Sequence, residues 1–530
     1  MCGIYCYLSN GKNNHPYLIR GMDRIRRRGP DQTRFEHIRD GLGMGFHRLA
    51  INDLTDAGMQ PMTFKDVTVI CNGEIYNYKK LAEQFNIKLT TTCDCEIIAK
   101  LYDCLDGHMM ELLQLLDGVF AMVLYDGAMD VLYAARDVYG VRPLYMGIGP
   151  DYAIFASESK AMVDYSDQLS NIGQLNPGSL YSIDTNDFSV TYRVYYDHSI
   201  ELGYKLPSVN GTKFNNDRIY ELLTDAVSKR LMSDRPVGFL LSGGLDSSLI
   251  AGIASRLLDN HPIHTYCIGL EDATDLAYAR KVADHIGSIH HEVIVSEDDF
   301  FNAIPDVIEA IESYDITTVR ASVGNYLIGK YIKEHTDQVV IFNGDGSDEM
   351  GGYKYLQNAP SADEFQKECI HLLTNIHYFD VLRSDRCLSS HWGLETRTPF
   401  LDKRFVEFYM SIDPMLKMWS NDTIEQKSHI MEKMPLRKAF EGKGIIPDEV
   451  LWRRKEAFSD GCSSESNSWH KIIKRRLTVM LSMGIIETND EGQYYKDIYN
   501  KLYPGFPSPI PHYWMPKWTN QTSDPSAREL

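Results

Sequence analysis

Cys2 stands directly after the initiator methionine, and its type and place suit nucleophilic chemistry. A small second residue permits removal of Met1, which would leave Cys2 with a free α-amino group. That amine, with a pKa of about 7.7–8.0, is a base carried on the same residue as the thiol, so no distant histidine is required. An inert thiol that happens to be second is the alternative for Cys2 alone. A second constellation begins past residue 235. Val237–Leu241 reads as a strand that runs into Ser242-Gly243-Gly244-Leu245-Asp246-Ser247-Ser248, with a helix expected from near Leu249. A glycine-rich turn between strand and helix offers backbone N–H groups and a helix N-terminus to a polyphosphate. The hydroxyls of Ser242, Ser247 and Ser248 add donors. No lysine follows the glycines, so this is not the GxxxxGK[ST] loop; a serine-capped turn with no ligand is the plain alternative. Asn343-Gly344-Asp345-Gly346-Ser347-Asp348-Glu349 follows the apolar run VVIF and supplies a second acidic loop at the carboxyl edge of the same sheet. Asp246 and Asp348 could hold Mg²⁺ there, since this ion needs only one or two protein carboxylates beside phosphate oxygens.

Two kinds of architecture must position these residues. The first 200 or so residues carry short apolar runs bounded by turns: GMGFHRLAI, VTVICNGEIYN, GVFAMVLYD, VLYAARD, YAIFAS and SLYSID. Asp126-Gly127 before VLYAARD reads as a hairpin, and the spacing predicts antiparallel sheet. A helix is expected near Cys95–Leu105, with Ile97, Ile98, Leu101 and Leu105 on one face. Residues 197–215 are polar and contain Pro207, Ser208, Asn210 and Gly211, which places a linker at 201–216. Beyond it helical segments alternate with the buried strands VGFLL, IHTYCIGL and VVIFNG, the mark of a parallel α/β sheet. From about Asp363 the pattern is mostly helical, and HYWMPKWTNQTSDPSAREL forms an aromatic tail that packs or frays. The expected fold class is therefore α/β and α+β in two domains, 1–200 and 217–530.

Composition narrows the function. The chain has 530 residues, 43% of them hydrophobic and 24% charged, which is ordinary for a multidomain globular protein. A net charge of −19 argues against a general nucleic-acid binder, because phosphate affinity needs clustered lysine and arginine. The local run Arg20, Arg24, Arg26, Arg27 and Arg28 reads as a solvated basic helix end. No stretch approaches the roughly 20 apolar residues that span a bilayer, so no membrane partner is expected. MCGIYCYLSN lacks a basic flank followed by an apolar run, so no secretory signal is expected. The ten cysteines form no paired CxxC set and no zinc-like array, and are expected as reduced core thiols in the cytoplasm.

Five motifs occur in order: Met1-Cys2-Gly3-Ile4, Arg28-Gly29-Pro30-Asp31, His47-Arg48-Leu49-Ala50-Ile51, Asn72-Gly73-Glu74-Ile75-Tyr76-Asn77 and Asp94-Cys95-Glu96. Together they resemble the class II glutamine amidotransferase domain, an N-terminal-nucleophile hydrolase built as an αββα sandwich. Arg27 stands where that family commonly has histidine. The resemblance implies Cys2 as nucleophile and Asn72 with the backbone of Gly73 as oxyanion donors. It implies a glutamine site made of Arg48, Leu49, Ala50, Ile51, Asn52, Asn72, Gly73, Glu74 and Asp94. The planar fork of Arg48 matches an α-carboxylate, and Asp94 can pair with an α-ammonium.

SGGLDSS resembles the pyrophosphate-binding loop of ATP pyrophosphatases. ATP contacts are implied for Leu241, Ser242, Gly243, Gly244, Asp246, Ser247, Ser248, Asn343 and Gly344, with Ile268 beside adenine. Tyr314–Ser322 and Trp452–Gly461 look like the aspartate and phosphate side of the glutamine-hydrolysing asparagine synthetase family, a resemblance that covers roughly residues 1–525. HYWMPKW looks closer to its eukaryotic members. The resemblance implies Arg320 on the aspartate carboxylate and Lys455 on the adenylate. It also implies L-glutamine, L-aspartate and ATP as substrates, Mg²⁺ as cofactor, internal transfer of ammonia and, as in many members, a homodimer. The family loop SGEGSDE is altered here: Asn343 replaces serine, and Asp345 replaces the glutamate implicated in forming the acyl-adenylate. Three rivals are a β-lactam synthetase-like enzyme, a phosphoribosyl amidotransferase and a regulatory glutamine-binding protein with a decayed synthetase half. Intact Cys2, Arg48, Asn72 and Asp94 weigh against the first, and SGGLDSS against the second. The changes at 343 and 345 are the only support for the third.

Overall fold

The computed structural model describes residues 1–10, 18–203, 215–259, 261–419, 431–456, 458–464 and 467–519. Most of the linker expected at 201–216 lies outside them.

The N-terminal part is built on two six-stranded sheets in which every pairing is antiparallel. Gly3–Ser9 lies in the first sheet between Leu42–Arg48 and Tyr152–Ala156. Val67–Ile75 lies in the second, paired with Gly118–Asp126. Side chains alternate across a strand, so each sheet has two faces to bury. Ile4, Cys6 and Leu8 meet Ile70, Ala121 and Val123 between the sheets. Tyr5, Tyr7 and Ile154 pack outward against Met22 and Met162. On the other side Val69, Cys71, Phe120 and Met122 pack against Ile97, Leu101 and Leu112 of the helices Glu96–Cys104 and Met109–Leu115. The layers are thus αββα, as expected. The hairpin Gly118–Asp126 to Val131–Arg136 is present.

The C-terminal part is built on one parallel sheet in the order Ile289–Ile294, His264–Gly269, Val237–Leu240, Val340–Phe342, Glu395–Arg397. The chain leaves Val237–Leu240 towards one side and returns to pair on its other side. The carboxyl end of that strand is therefore a topological switch point, where open α/β sheets bind ligands. One expectation is corrected. The helix after the serine-glycine turn begins at Leu245, one turn earlier than the apolar pattern indicates. Gly244 takes the extended N-cap position, and Asp246 and Ser247 fall in the first turn, where the helix dipole favours them. The described part of the tail, up to residue 519, packs: the N–H of Trp514 donates to Asp315 at 2.8 Å, and its ring lies 5.6 Å from that of Tyr353.

The two parts are held together by buried ion pairs. Arg28 is fully buried and donates to Glu158 at 2.7 Å and to Asp385 at 3.0 Å. The basic run is therefore not simply a solvated helix end, because Arg28 turns inward where two carboxylates compensate its burial.

Two candidate active sites

Residues Cys2, Arg48, Leu49, Ile51, Asn52, Asn72, Gly73, Glu74 and Asp94 line one small pocket between the antiparallel sheets and the parallel sheet. Of the proposed glutamine residues only Ala50 does not. Its backbone instead ties the domains: its N–H donates to Asp31 at 2.9 Å and its carbonyl accepts from Arg235 at 2.9 Å. The Cys2 thiol points to the Leu49 carbonyl at 3.6 Å, and burial pushes it up to about 11. Met1 is present and buried. Its ammonium donates to the Leu394 carbonyl at 3.1 Å, and burial brings it down to about 6 against the pull of Glu395. Asn72 is fully buried, yet neither atom of its side-chain amide has a partner among the described residues. An orphaned buried amide costs about 1–3 kcal/mol, and a transient oxyanion would satisfy its Nδ2 donor. Gly73 packs where a Cβ would lie 2.2 Å from the Val119 carbonyl, so only glycine lets the strand stay this close.

Arg48 is held open by carbonyls: it donates to Thr55 at 2.6 Å and also to Asp53, with Gln32 at 3.1 Å. Asp94 accepts from the Ile75 N–H at 2.7 Å and from the Asn52 amide at 3.3 Å, and burial pushes its pKa up to about 6. Burial, together with the charges of Glu395 and Asp94, pushes Glu74 well above the usual carboxylate range.

The second pocket is a cavity of about 120 Å³ at the carboxyl edge of the parallel sheet. Leu241, Ser242, Gly244, Asp246, Ser247, Ile268, Asn343, Gly344, Asp345, Asp348 and Lys455 all line it. Gly243 and Ser248 do not. Gly243 supplies the left-handed turn, φ +68°, and its carbonyl is held by Arg453 at 3.0 Å, while Ser248 is buried one step into the helix. Ser242 and Ser247 are 3.0 Å apart through their hydroxyls.

Asp246 and Asp348 converge on one ammonium. Lys433 lies 2.7 Å from Asp246 and 2.6 Å from Asp348, and Lys455 lies 2.7 Å from Asp348. Burial works against ionisation of Asp348, but the two lysines outweigh it and hold its carboxyl well below the usual range. Asp345 sits in a separate corner. The Asn343 side-chain amide donates to it at 2.9 Å, Arg383 donates at 3.2 Å, and its own N–H returns to the Asn343 oxygen at 3.2 Å. Burial nevertheless raises its pKa.

Arg320 is not brought to this cavity. It is paired two-pronged with Glu491, at 2.8 and 2.6 Å, and Tyr495 supports that glutamate at 2.7 Å. Arg383 is the arginine that reaches the Asp345 corner. Sequence reasoning also missed Lys433, one of three basic residues in EKMPLRK, whose partners lie 187 and 85 positions earlier. It missed Glu395 and Arg397 as well, whose short strand touches both sites. Glu395 lines the Cys2 pocket and Arg397 lies 3.5 Å from Glu74. The Arg397 carbonyl accepts from the N–H of Asn343 at 3.0 Å.

Comparison with known proteins gives this arrangement a family. A glutamine amidotransferase domain model matches residues 1–196, and an asparagine synthase model matches 218–364 and 354–523. The chain belongs to the asparagine synthase family. It is similar to the asparagine synthetase [glutamine-hydrolyzing] of Homo sapiens, 41% identical over all of this chain and 98% of that protein. It is 42% identical to a probable asparagine synthetase [glutamine-hydrolyzing] of Acanthamoeba polyphaga mimivirus, over all of both chains. The Gallus gallus protein of the same description is 40% identical, over all of this chain and 98% of that one. Family membership and the two pockets agree: the amidotransferase match carries the Cys2 pocket, and the synthase match carries the acidic cavity.

Proposed function

We propose that the chain makes L-asparagine from L-aspartate, ATP and the amide nitrogen of L-glutamine. The observation that carries this is the joining of two pockets of different chemistry by the strand Glu395–Arg397. Residues 1–200 form the glutaminase and 217–530 the synthetase. After loss of Met1, the Cys2 α-amine takes the thiol proton as sulfur attacks the glutamine side-chain amide. The carbon–nitrogen bond then breaks, the proton leaves with ammonia, and water hydrolyses the thioester to glutamate. Asn72 and the N–H of Gly73 stabilise the oxyanion. Arg48 holds the α-carboxylate and Asp94 the α-ammonium.

In the other pocket the serine-glycine turn holds the phosphates, with Ile268 beside adenine. The aspartate β-carboxylate attacks the α-phosphorus and pyrophosphate leaves. Ammonia reaching this site along the domain interface displaces AMP from the β-aspartyl carbon. Lys433 and Lys455 neutralise the departing pyrophosphate. Mg²⁺ fits here, because Asp246 and Asp348 already share one cation, the Lys433 ammonium, and could share a divalent one. When bound, it would neutralise phosphate charge. Asp345, placed by Asn343 and Arg383, takes the part of the longer family carboxylate beside the acyl-adenylate. Arg383 is the better partner for aspartate, since Arg320 is committed to Glu491. Apart from Cys462, the cysteines are free thiols in the structure, which supports a reducing, cytoplasmic setting. A homodimer is part of the same reading, taken from the family resemblance.

Incubation of the protein with glutamine, aspartate and MgATP tests this. Asparagine, AMP and pyrophosphate should appear in equal amounts. Glutamate and ADP without AMP would refute it.

A further inference from the structure

Three thiols surround the acidic end of the Cys2 pocket, and the proposed hydrolysis uses none of them. The sulfurs of Cys93 and Cys95 and a carboxylate oxygen of Asp94 lie within 4.8 Å of one another. The Cys95 thiol also donates to a carboxylate oxygen of Asp94 at 3.8 Å. Cys71 lies on the strand Val67–Ile75 next to Asn72, while Cys93 and Cys95 flank Asp94 just before the helix Glu96–Cys104. All four residues are buried, and all line the pocket that holds Cys2. Cys93, Asp94 and Cys95 thus bring two sulfurs and one oxygen to one point, a set that no regular cysteine spacing reveals.

We propose that this cluster is an inhibitory site for a thiophilic divalent cation of the zinc class, with Cys93, Cys95 and Asp94 as its ligands. Two sulfurs and a carboxylate suit such an ion, with its fourth tetrahedral position left to water, and do not suit Mg²⁺ or Ca²⁺. Metal–sulfur bonds of about 2.3 Å require ligand atoms roughly 3.5–3.8 Å apart, so the cluster contracts by about 1 Å at its widest. Each thiol releases its proton to solvent as the cation binds, and no electron is transferred. Oxidation to a disulfide would need an added oxidant, whereas cation binding needs only the ligands in place. Asp94 is the proposed partner of the glutamine ammonium, so cation and glutamine exclude one another. That consequence rests on the function proposed above, but binding of the cation does not.

Cadmium titration of the reduced, full-length protein tests the site through the ultraviolet thiolate-to-cadmium band. The band should saturate at one cation per chain and persist in Cys2→Ala. It should weaken in Cys93→Ser and in Cys95→Ser, and vanish when both are changed. In a glutaminase assay without ATP, Zn²⁺ should inhibit the native chain, and added glutamine should relieve it. The half-inhibitory concentration should rise at least about tenfold in either single serine variant, each referred to its own activity without metal. No band in the native chain, a band lost with Cys2 alone, or a band retained in the double variant would overturn the site. If the double variant does not fold, unchanged bands in both single variants overturn it instead. A normal band with inhibition that glutamine does not relieve would leave the cation site standing and remove Asp94 from the glutamine reading.

Discussion

In the Cys2 pocket Asp94, the proposed partner of the glutamine ammonium, accepts among the described residues from neutral donors, the Asn52 amide, the Ile75 N–H and the Cys95 thiol, and burial lifts it to about 6. In the synthetase cavity Asp246 and Asp348 face lysines at 2.7 and 2.6 Å, and Asp348 stays ionised far below the usual range. The difference follows from what each substrate brings. A glutamine zwitterion supplies its own ammonium, so an uncompensated carboxylate waits for it. A polyphosphate supplies only negative charge, so the protein must provide cations and acids to hold them in place. The same contrast separates a site tuned near neutral pH from one whose charges are fixed.

The largest way to break this contrast is Asp246→Ala. It removes one of the two acids that place Lys433, and asparagine formation with either nitrogen donor should fall by at least about 100-fold. Glutamine hydrolysis should remain, since Asp246 does not line the Cys2 pocket. Unaltered AMP formation in this variant would contradict the assignment. The Asp345 corner gives the next effect. Asp345→Asn keeps the shape and removes the charge, and should lower pyrophosphate release about 100-fold. Asp345→Glu should give no large gain, because Asn343 and Arg383 grip the shorter carboxylate at 2.9 and 3.2 Å. A large gain would show that the natural loop is impaired, and full activity in the Asn variant would remove Asp345 from the reaction.

The smallest effect is in pH dependence. Asp94 is neutral below its raised pKa of about 6 and charged above it. Glutaminase kcat/KM, which reports the free enzyme, should therefore fall about tenfold per pH unit below pH 6. Ammonia-dependent synthesis, measured at equal concentrations of free NH₃, should lack that limb. Asp94→Asn should lose it while keeping weak hydrolysis, and a limb that persists in the variant would assign it elsewhere.

Much of this was legible in the sequence, for physical reasons. Strands buried between layers show as apolar runs, and IHTYCIGL and VTVICNGEI are found where expected. Residues whose chemistry depends on a local turn, such as Ser242–Asp246, travel with that turn and can be read together. The strand Glu395–Arg397 could not be read this way. It is three residues of Glu-Thr-Arg, fully buried because Arg397 pairs with Glu395 at 2.8 Å and approaches Glu74. Charge pairing across domains leaves no apolar signature. Lys433 was hidden for a similar reason: its partners are set by the fold, and it adopts φ +58° outside any motif. The helix start at Leu245 was misplaced because Asp-Ser-Ser reads as loop, whereas a glycine N-cap and the helix dipole make it a first turn. Arg320 shows the converse case, a motif arginine whose partner Glu491 comes from a helix 171 positions later and could not be read beside it.

On the proposed reading one chain holds two separate sites, one releasing ammonia and one consuming it. Cys2→Ala, assayed with aspartate and MgATP and supplied in turn with glutamine and with ammonium, tests this most directly. No glutamate and no asparagine should form from glutamine, whereas ammonium should give asparagine with equal AMP and pyrophosphate at close to the native rate. Glutamine-driven asparagine formation that survives in the variant, or ammonium-driven formation that is lost with it, would contradict the account.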